Sequence, residues 1–301
     1  MNTTEIYIIL VNWNKPLVTL ECIKSIKKSI YTNYKIVVVE NGSNDNSVEL
    51  LKNNNDFHLI ISNKNLGYTG GNNIAIKYCL EHNPNYIFLL NNDTLLLPDA
   101  IGILLNSAKK DNRIGIIQPK IFFYPETNKL WCGPTSFNKL LITSRLLGNG
   151  KFDSFKYNQT QEIPFSVGCA TFIKTEVFNS IGLLDDDFFA VCEDVDFGIR
   201  AIKANYKIIY EPNSIIYHLE SVSAGGINNY YYVFLQTRSQ ILLINKHAIN
   251  KLHLVLAITI YFLRAHYRAS KLFITGNFNS ANSIIIAFRN YFTFNIKTLN
   301  R

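Results

Sequence analysis

Two hydrophobic periods alternate through the first hundred residues, and this alternation limits the fold more than any other feature of the chain. Ile6–Val11 is a continuous apolar run of strand length. Pro16 follows where a first helical turn tolerates it, and Leu17, Leu20 and Ile23 recur at helical spacing. Ile36–Val39, Leu59–Ile61 and Tyr86–Leu90 repeat the strand pattern. Val48–Lys52 and Ile74–Glu81 read as the intervening helices, and the Gly/Asn-rich stretch up to Asn73 reads as a loop. Strands apolar on both faces, separated by helices, predict a parallel sheet covered on both sides. Ligands on such sheets bind at the carboxyl ends of the strands, and the polar clusters of this chain follow strand ends.

Beyond Pro98 the pattern is less regular. A helix is expected at Ala100–Lys109 and a strand at Ile114–Phe123. Residues 124–162 read as loop-rich. Phe165–Ile173 reads as a strand, Glu176–Ile181 as a short helix, and a further helix runs to about Asn205. Lys207–Tyr210 and Ile215–His218 read as two strands. From Tyr230 the chain is expected to be helical to its end, with a break near Gly276.

Charge divides the chain. Of 301 residues, 30 are Lys or Arg and 22 are Asp or Glu, a net charge of +8, yet no acidic residue follows Glu220. Residues 221–301 carry nine basic side chains, so residues 1–220 are net −1. A uniformly basic nucleic-acid binder is excluded by this asymmetry, and no nucleic acid is expected as partner. Five scattered cysteines without a CxxC pair argue against a zinc site or a disulfide framework. No basic leader opens the sequence, and the longest strongly apolar stretch, Leu252–Leu263, falls short of the ~20 residues of a membrane span. A cytoplasmic protein is expected.

No P-loop, GxGxxG, GxSxG or HExxH is present, so carboxylates, amides and a histidine must carry the chemistry. Asp93, in Asn91-Asn92-Asp93, follows a hydrophobic strand. It is either a turn former or the single carboxylate of a divalent metal shared with a phosphate. Glu193, Asp194 and Asp196 crowd one helix start. Capping accounts for one or two of them, and a carboxylate desolvated beside Phe188–Cys192 would suit a general base. His218 ends an apolar strand, either as a structural histidine or as a metal ligand near Asp93.

In order and spacing these segments resemble the family 2 glycosyltransferases of the GT-A fold over about residues 5–250. Val11-Asn12-Trp13-Asn14 resembles the first-strand motif, and Val38 through Asp45 the nucleotide-binding segment. Asn63 through Asn73 resembles the loop after the third strand, and Asn91-Asn92-Asp93 stands at the DxD position. Phe189 through Arg200 resembles the acidic motif, and His218 with Ser223 the segment after it. The nearest subgroup is the rhamnosyltransferase-like enzymes of bacterial surface polysaccharides. Glu40 stands where the family usually has Asp, and the DxD position keeps one carboxylate.

The resemblance implies a Rossmann-like, mostly parallel α/β sheet with flanking helices and a helical C-terminal region. It implies a catalytic domain at 1–220, divided into a nucleotide-sugar half (1–98) and an acceptor half (99–220). Asn12, Asn14, Glu40, Asn41, Asn65, Gly67, Asn73 and Asn92 would line the donor site. Asp93 and His218 would hold Mg²⁺ or Mn²⁺. Asp194 would be the base on the acceptor hydroxyl, with Glu193 orienting the acceptor and Arg200 supporting them. The implied activity is inverting transfer from dTDP-rhamnose or a UDP-hexose to a glycan or lipid-linked acceptor. A sugar-phosphate nucleotidyltransferase and a transferase-like scaffold are the competing readings. The first needs a Gly-rich basic loop after the first strand, which Asn12–Lys15 does not offer. The second is opposed by the retained Asp93, Asp194 and His218.

Residues 221–301 hold 13 of the 39 aromatic residues beside their nine cations. Arg264, Arg268 and Lys271 share one helical face next to Leu256, Ile260, Leu263, Tyr267 and Ile274. Two readings stay open. One is an amphipathic helix packed on the catalytic domain. The other is an interfacial helix on anionic lipid, placing the protein on the inner face of the cell membrane.

Overall fold

In the computed structural model, residues 4–219 and 229–293 are described. Ser223 and the expected boundary at 220/221 lie outside them. The chain divides into two compact units. The first comprises residues 1–136, 145–184 and 194–220, and the second 137–144, 185–193 and 221–301.

In the first unit, β1 (Ile6–Asn12), α1 (Pro16–Ile26), β2 (Tyr34–Asn41), α2 (Ser47–Lys52), β3 (His58–Ser62), α3 (Gly67–Glu81) and β4 (Tyr86–Asn91) alternate. Then follow β5 (Thr94–Leu96), α4 (Ala100–Ala108), β6 (Ile114–Phe123) and β7 (Leu130–Cys132). A hairpin, β8 (Thr135–Asn138) and β9 (Thr143–Leu146), whose residues 137–144 belong to the second unit, precedes β10 (Gln161–Glu162), β11 (Ala170–Lys174) and α5 (Thr175–Ile181). α6 (Glu193–Lys203) and β12 (Lys207–His218) complete the unit. The main sheet runs β10-β12-β6-β11-β4-β1-β2-β3. β4-β1-β2-β3 are parallel, as are β12 and β6. β11 enters antiparallel between β4 and β6. Alternate residues of the central strands feed two apolar clusters, one on each face. Ile8, Leu10 and Phe88 lie in one; Tyr7, Ile9 and Leu89 lie in the other.

Several local expectations are corrected. The stretch before Asn73 is not a loop: α3 already begins at Gly67. Tertiary packing overrides its poor helix propensity. A Cβ at Gly71 would come 2.8 Å from Val11 Cγ1, so glycine is what lets this turn press onto the end of β1. The strand expected at Phe165–Ile173 shortens to β11, because Phe165, Val167 and Gly168 bond through their backbone to the side chains of Thr135, Gln118 and Asp194. The two strands expected at 207–218 are one, interrupted by an irregularity between Glu211 and Ile215. β5 and β7–β10 are too short to leave a hydrophobic period.

Arg200 fixes α6. Its Nε donates to Asp196 Oδ2 (2.8 Å), and its terminal nitrogens donate to the carbonyls of Ile181 (2.8 Å) and Leu183 (2.9 Å). Asp196 is buried. Arg200→Met is therefore expected to cost about 3 kcal/mol, since a buried ion pair loses one partner. Urea unfolding measures this, and a change below ~0.5 kcal/mol would show the clamp to be idle.

The second unit contains α7 (Tyr230–His247), α8 (Lys251–Ile274) and α9 (Phe278–Thr293). Val233, Ile241, Ala265, Ala269, Leu272, Ile284 and Phe288 form their common apolar cluster. An additional break separates α7 from α8, where Asn250 caps α8 by accepting from His253 N (2.9 Å). Within this unit α7 also holds residues 185–193. Arg238 donates to the Asp187 carbonyl (3.0 Å), Ser239 to the Ala190 carbonyl (3.0 Å), and Lys246 to Asp185 (2.6 Å) and Asp187 (2.7 Å). No described helix is long and apolar enough to cross a membrane.

Candidate active site

The carboxyl ends of β1 and β2 are laced together by the polar residues that follow them. Asn12 Oδ1 accepts from Thr19 (2.7 Å), and Asn92 donates to the same hydroxyl (2.9 Å). Asn14, at a positive φ of 57°, accepts from Asn44 N (3.0 Å), while its own N–H donates to Ser43 (2.8 Å). Glu40 is buried and accepts from Ser43 N (2.8 Å), closing the turn after β2. Asn41 uses both sides of its amide: it donates to the Gly67 carbonyl (3.0 Å) and accepts from Leu66 N (3.0 Å). Asn65 accepts from Gly67 N (2.8 Å). Asn73 clamps Leu184, donating to its carbonyl (2.8 Å) and accepting from its N–H (3.2 Å). Asn41 and Asn65 thus tie the start of α3 to the end of β2, Asn73 ties α3 to Leu184, and Asn12, Asn14, Glu40 and Asn92 lie at or just after strand ends, with Asn12 and Glu40 fully buried.

The turn at Gly42 makes this possible. Its φ is +69°, and a Cβ there would lie 2.3 Å from the Lys64 carbonyl carbon and 2.6 Å from Asn65 N. Neither backbone atom has room to yield. Gly42→Ala is expected to destabilise the protein by about 3 kcal/mol or more, combining left-handed strain with overlap. Thermal melting checks this, and an unchanged midpoint would refute it.

Asp93 and His218 are 125 residues apart in sequence and meet through β5. Thr94 pairs with His218 across the antiparallel β5–β12 ladder, and Leu219 N donates to the Asp93 carbonyl (2.8 Å). His218 Nε2 then lies 3.1 Å from Asp93 Oδ1, both side chains buried. Trp131 meets the imidazole edge-on, with ring centroids 4.5 Å apart. Burial opposes a charge on His218, but the adjoining Cys169 sulfur and the Asp93 carboxylate outweigh it and push its pKa up to about 11. Burial raises the Cys169 thiol as well, and pushes Cys22, beneath the turn, up to about 12, so neither is an activated nucleophile.

Among the described residues no group of three or more His, Cys, Asp or Glu side chains could hold a metal by itself. The Asp93–His218 pair would hold one divalent cation by giving up the proton that the raised pKa keeps on the imidazole, since only the neutral ring ligates. Two neighbouring ligands of an octahedral ion, each ~2.1 Å from it, are about 3 Å apart, which is the separation found here. The remaining positions would fall to substrate oxygens and water.

Asp194 lies in the first turn of α6, half-buried. Its Oδ2 accepts from Gly168 N (3.0 Å) and its Oδ1 from Val195 N (2.8 Å). Burial raises its pKa, and these backbone donors only partly oppose the shift. Glu193 precedes it and is buried. Val191 and Cys192, immediately before, both have φ of 71°. Two left-handed residues in succession, one β-branched, are a strained entry to a helix that holds the acid pair.

Sequence reasoning missed the segment that joins these parts. The Gly168 carbonyl accepts from the Tyr68 hydroxyl, its N–H holds Asp194, and Cys169 adjoins His218 while its carbonyl accepts from Asn91 N (2.8 Å). One dipeptide therefore links the base candidate, the metal candidates and the end of β4. Gly168-Cys169 between two apolar runs was the available signal.

The chain belongs to glycosyl transferase family 2, whose family model matches residues 7–182. It is a glycosyltransferase. The low-salt glycan biosynthesis hexosyltransferase Agl10 of Haloferax volcanii is 28% identical over 247 residues, covering 80% of this chain and 76% of the relative. The poly-beta-1,6-N-acetyl-D-glucosamine synthase of Staphylococcus epidermidis is 22% identical over 229 residues, covering 71% of this chain but only 50% of the relative. Among solved structures, GalNAc-T7 with UDP, GalNAc and Mn²⁺ superposes with a TM-score of 0.65 at 15% identity, covering 79% of this chain and 48% of that one. The fold is GT-A.

Proposed function

We propose that the protein transfers a hexosyl or rhamnosyl group, with inversion, from a nucleotide-diphosphate sugar to a glycan or lipid-linked acceptor in surface polysaccharide synthesis. dTDP-rhamnose and UDP-hexoses are the donors to test first. The observation that carries this reading is the continuous link from Asp194 through Gly168-Cys169 to His218 and Asp93. The hexosyltransferase relative supports the sugar class. The UDP, GalNAc and Mn²⁺ in the GalNAc-T7 structure support a diphosphate donor and a divalent ion.

Asn12, Asn14, Glu40 and Asn92 bind the nucleoside end of the donor at the strand ends, which Asn41, Asn65, Gly67 and Asn73 hold in shape. The partly desolvated Asp194 carboxylate takes the proton from the acceptor hydroxyl, and buried Glu193 orients that acceptor. The acceptor oxygen forms its bond to the anomeric carbon as the bond to the diphosphate breaks on the opposite face, and the diphosphate departs with the electron pair. Asp93 and His218 would hold Mg²⁺ or Mn²⁺, whose Lewis acidity neutralises the charge growing on the leaving diphosphate. With Asp194 as the base and Glu193 turned to the acceptor rather than to the anomeric carbon, one displacement follows, hence inversion. Turnover across a panel of nucleotide sugars, with NMR assignment of the product anomer, tests the proposal. Retention of configuration, or nucleotidyl transfer without glycosyl transfer, would refute it.

A further inference from the structure

We propose that α8 is a docking surface for an anionic phospholipid leaflet and lies flat in the headgroup region. Most helices of a globular protein are apolar on the face that packs and polar on the other. α8 is apolar on both. Its packed face carries Ala257, Ala265, Ala269 and Leu272, all buried. Leu252, Leu256, Leu263, Tyr267 and Ile274 follow one another at alternating intervals of four and seven residues, which draws one continuous stripe on the opposite face. That stripe is exposed: Leu252 is 79%, Leu263 63% and Ile274 82% accessible. Phe273 and Phe278 extend it around the turn into α9. They meet edge to face, with centroids 4.9 Å apart, and both are exposed.

Charge selects the occupant. Arg264 and Lys271, seven residues apart and exposed, border the stripe along one edge. Lys271 Nζ sits over the Tyr267 ring at 4.6 Å, so cation and aromatic body share one place at the margin. No acidic residue occurs anywhere in 221–301. Of the acids in the 185–193 segment of this unit, Asp185 and Asp187 are engaged by Lys246. A two-fold pairing of the face with a second copy would bring a second set of the same cations to it, and 221–301 supplies no acid to meet them. An anionic leaflet meets the apolar stripe and the cationic margin together. The 24 residues of α8 span about 36 Å along the surface. The helix is not apolar enough to cross the bilayer.

Co-sedimentation of the full chain with vesicles tests the assignment. One set is phosphatidylcholine alone, and the other contains about one-third phosphatidylglycerol. The unaltered protein is expected to bind the anionic vesicles and to lose binding as salt rises. Leu252→Asn, Leu263→Asn and Ile274→Asn together, all at exposed positions, should weaken binding at least ~10-fold. Arg264→Glu with Lys271→Glu should weaken binding to anionic vesicles by about fivefold or more for each charge, and leave binding to phosphatidylcholine unchanged. Turnover with water-soluble substrates should stay at the unaltered level in both variants, which separates this test from that of the donor chemistry. Failure of the unaltered protein to bind anionic vesicles, or undiminished binding by the triple variant, would overturn the proposal. So would a concentration-dependent dimer that only the triple variant abolishes, which assigns the face to a second copy.

Discussion

Asp194→Asn is expected to lower kcat by about 10³-fold while leaving the affinity for the nucleotide diphosphate within about twofold. The side chain is nearly isosteric, and Asn Oδ1 still accepts one of the two backbone N–H groups now held by the carboxylate, from Gly168 or Val195. What disappears is the ability to take a proton from the acceptor. The pH profile gives an independent reading. Burial holds the Asp194 pKa above that of an ordinary aspartate, so the carboxylate form, which the mechanism requires, is lost on the acid side earlier than for an exposed acid. Activity should fall as pH drops through that raised value, and the residual activity of the variant should lack the limb. If Asp194 served only to cap α6, its replacement would cost about 1 kcal/mol of stability and leave the profile unmoved. Steady-state kinetics across pH, with calorimetric titration of the nucleotide diphosphate, separate the two. A variant that keeps unaltered turnover would remove Asp194 from the chemistry.

How far the sequence discloses this site follows from the range of the interactions. The apolar runs of β1, β2, β4 and β6 are legible because strands buried on both faces need continuous hydrophobic sequence. The resemblance places Asp93, Asp194 and His218 in order, yet the chain pattern contains nothing that sets His218 3.1 Å from Asp93. That contact depends on β5, three residues long, finding its register on β12. The start of α3 was illegible for a related reason. Gly67-Tyr68-Thr69-Gly70-Gly71 has the propensity of a loop and becomes helical because Val11 and Asn41 pack against the bare Gly71. Residues 165–169 were apolar enough for a strand. The backbone groups of Gly168 instead serve Asp194 and Tyr68, long-range partners that no local period records. The exposed stripe of α8 was half legible. The spacing gave its amphipathic neighbours, but only the packing of Ala257, Ala265 and Ala269 shows that the large apolar residues lie on the outer face.

Chelation should abolish transfer reversibly, and Asp93→Asn should make that loss permanent. Asp93 brings the carboxylate that follows β4, so neutralising it removes the anionic member of the Asp93–His218 pair. A Lewis acid facing a leaving diphosphate contributes several kcal/mol to the transition state, so a fall in kcat of about 10³-fold or more is expected. His218→Ala should be milder in turnover, because the carboxylate still bridges to a substrate-held ion, while Mn²⁺ affinity should fall about 10- to 100-fold. Electron paramagnetic resonance of Mn²⁺ with UDP or dTDP present reads this binding without relying on catalysis. The two variants also differ in stability. His218→Ala leaves the buried Asp93 carboxylate without its 3.1 Å partner, whereas Asp93→Asn keeps a neutral acceptor beside the imidazole. Loss of one member of a buried charged pair costs about 3 kcal/mol, so His218→Ala should melt at the lower temperature. A functional metal pair therefore predicts opposite rankings: Asp93→Asn worse for catalysis, His218→Ala worse for folding. A merely structural pair predicts that catalysis and stability fall together. Undiminished turnover of the unaltered protein in excess chelator would exclude the ion from the reaction and return Asp93 and His218 to the role of a buried strut between β5 and β12.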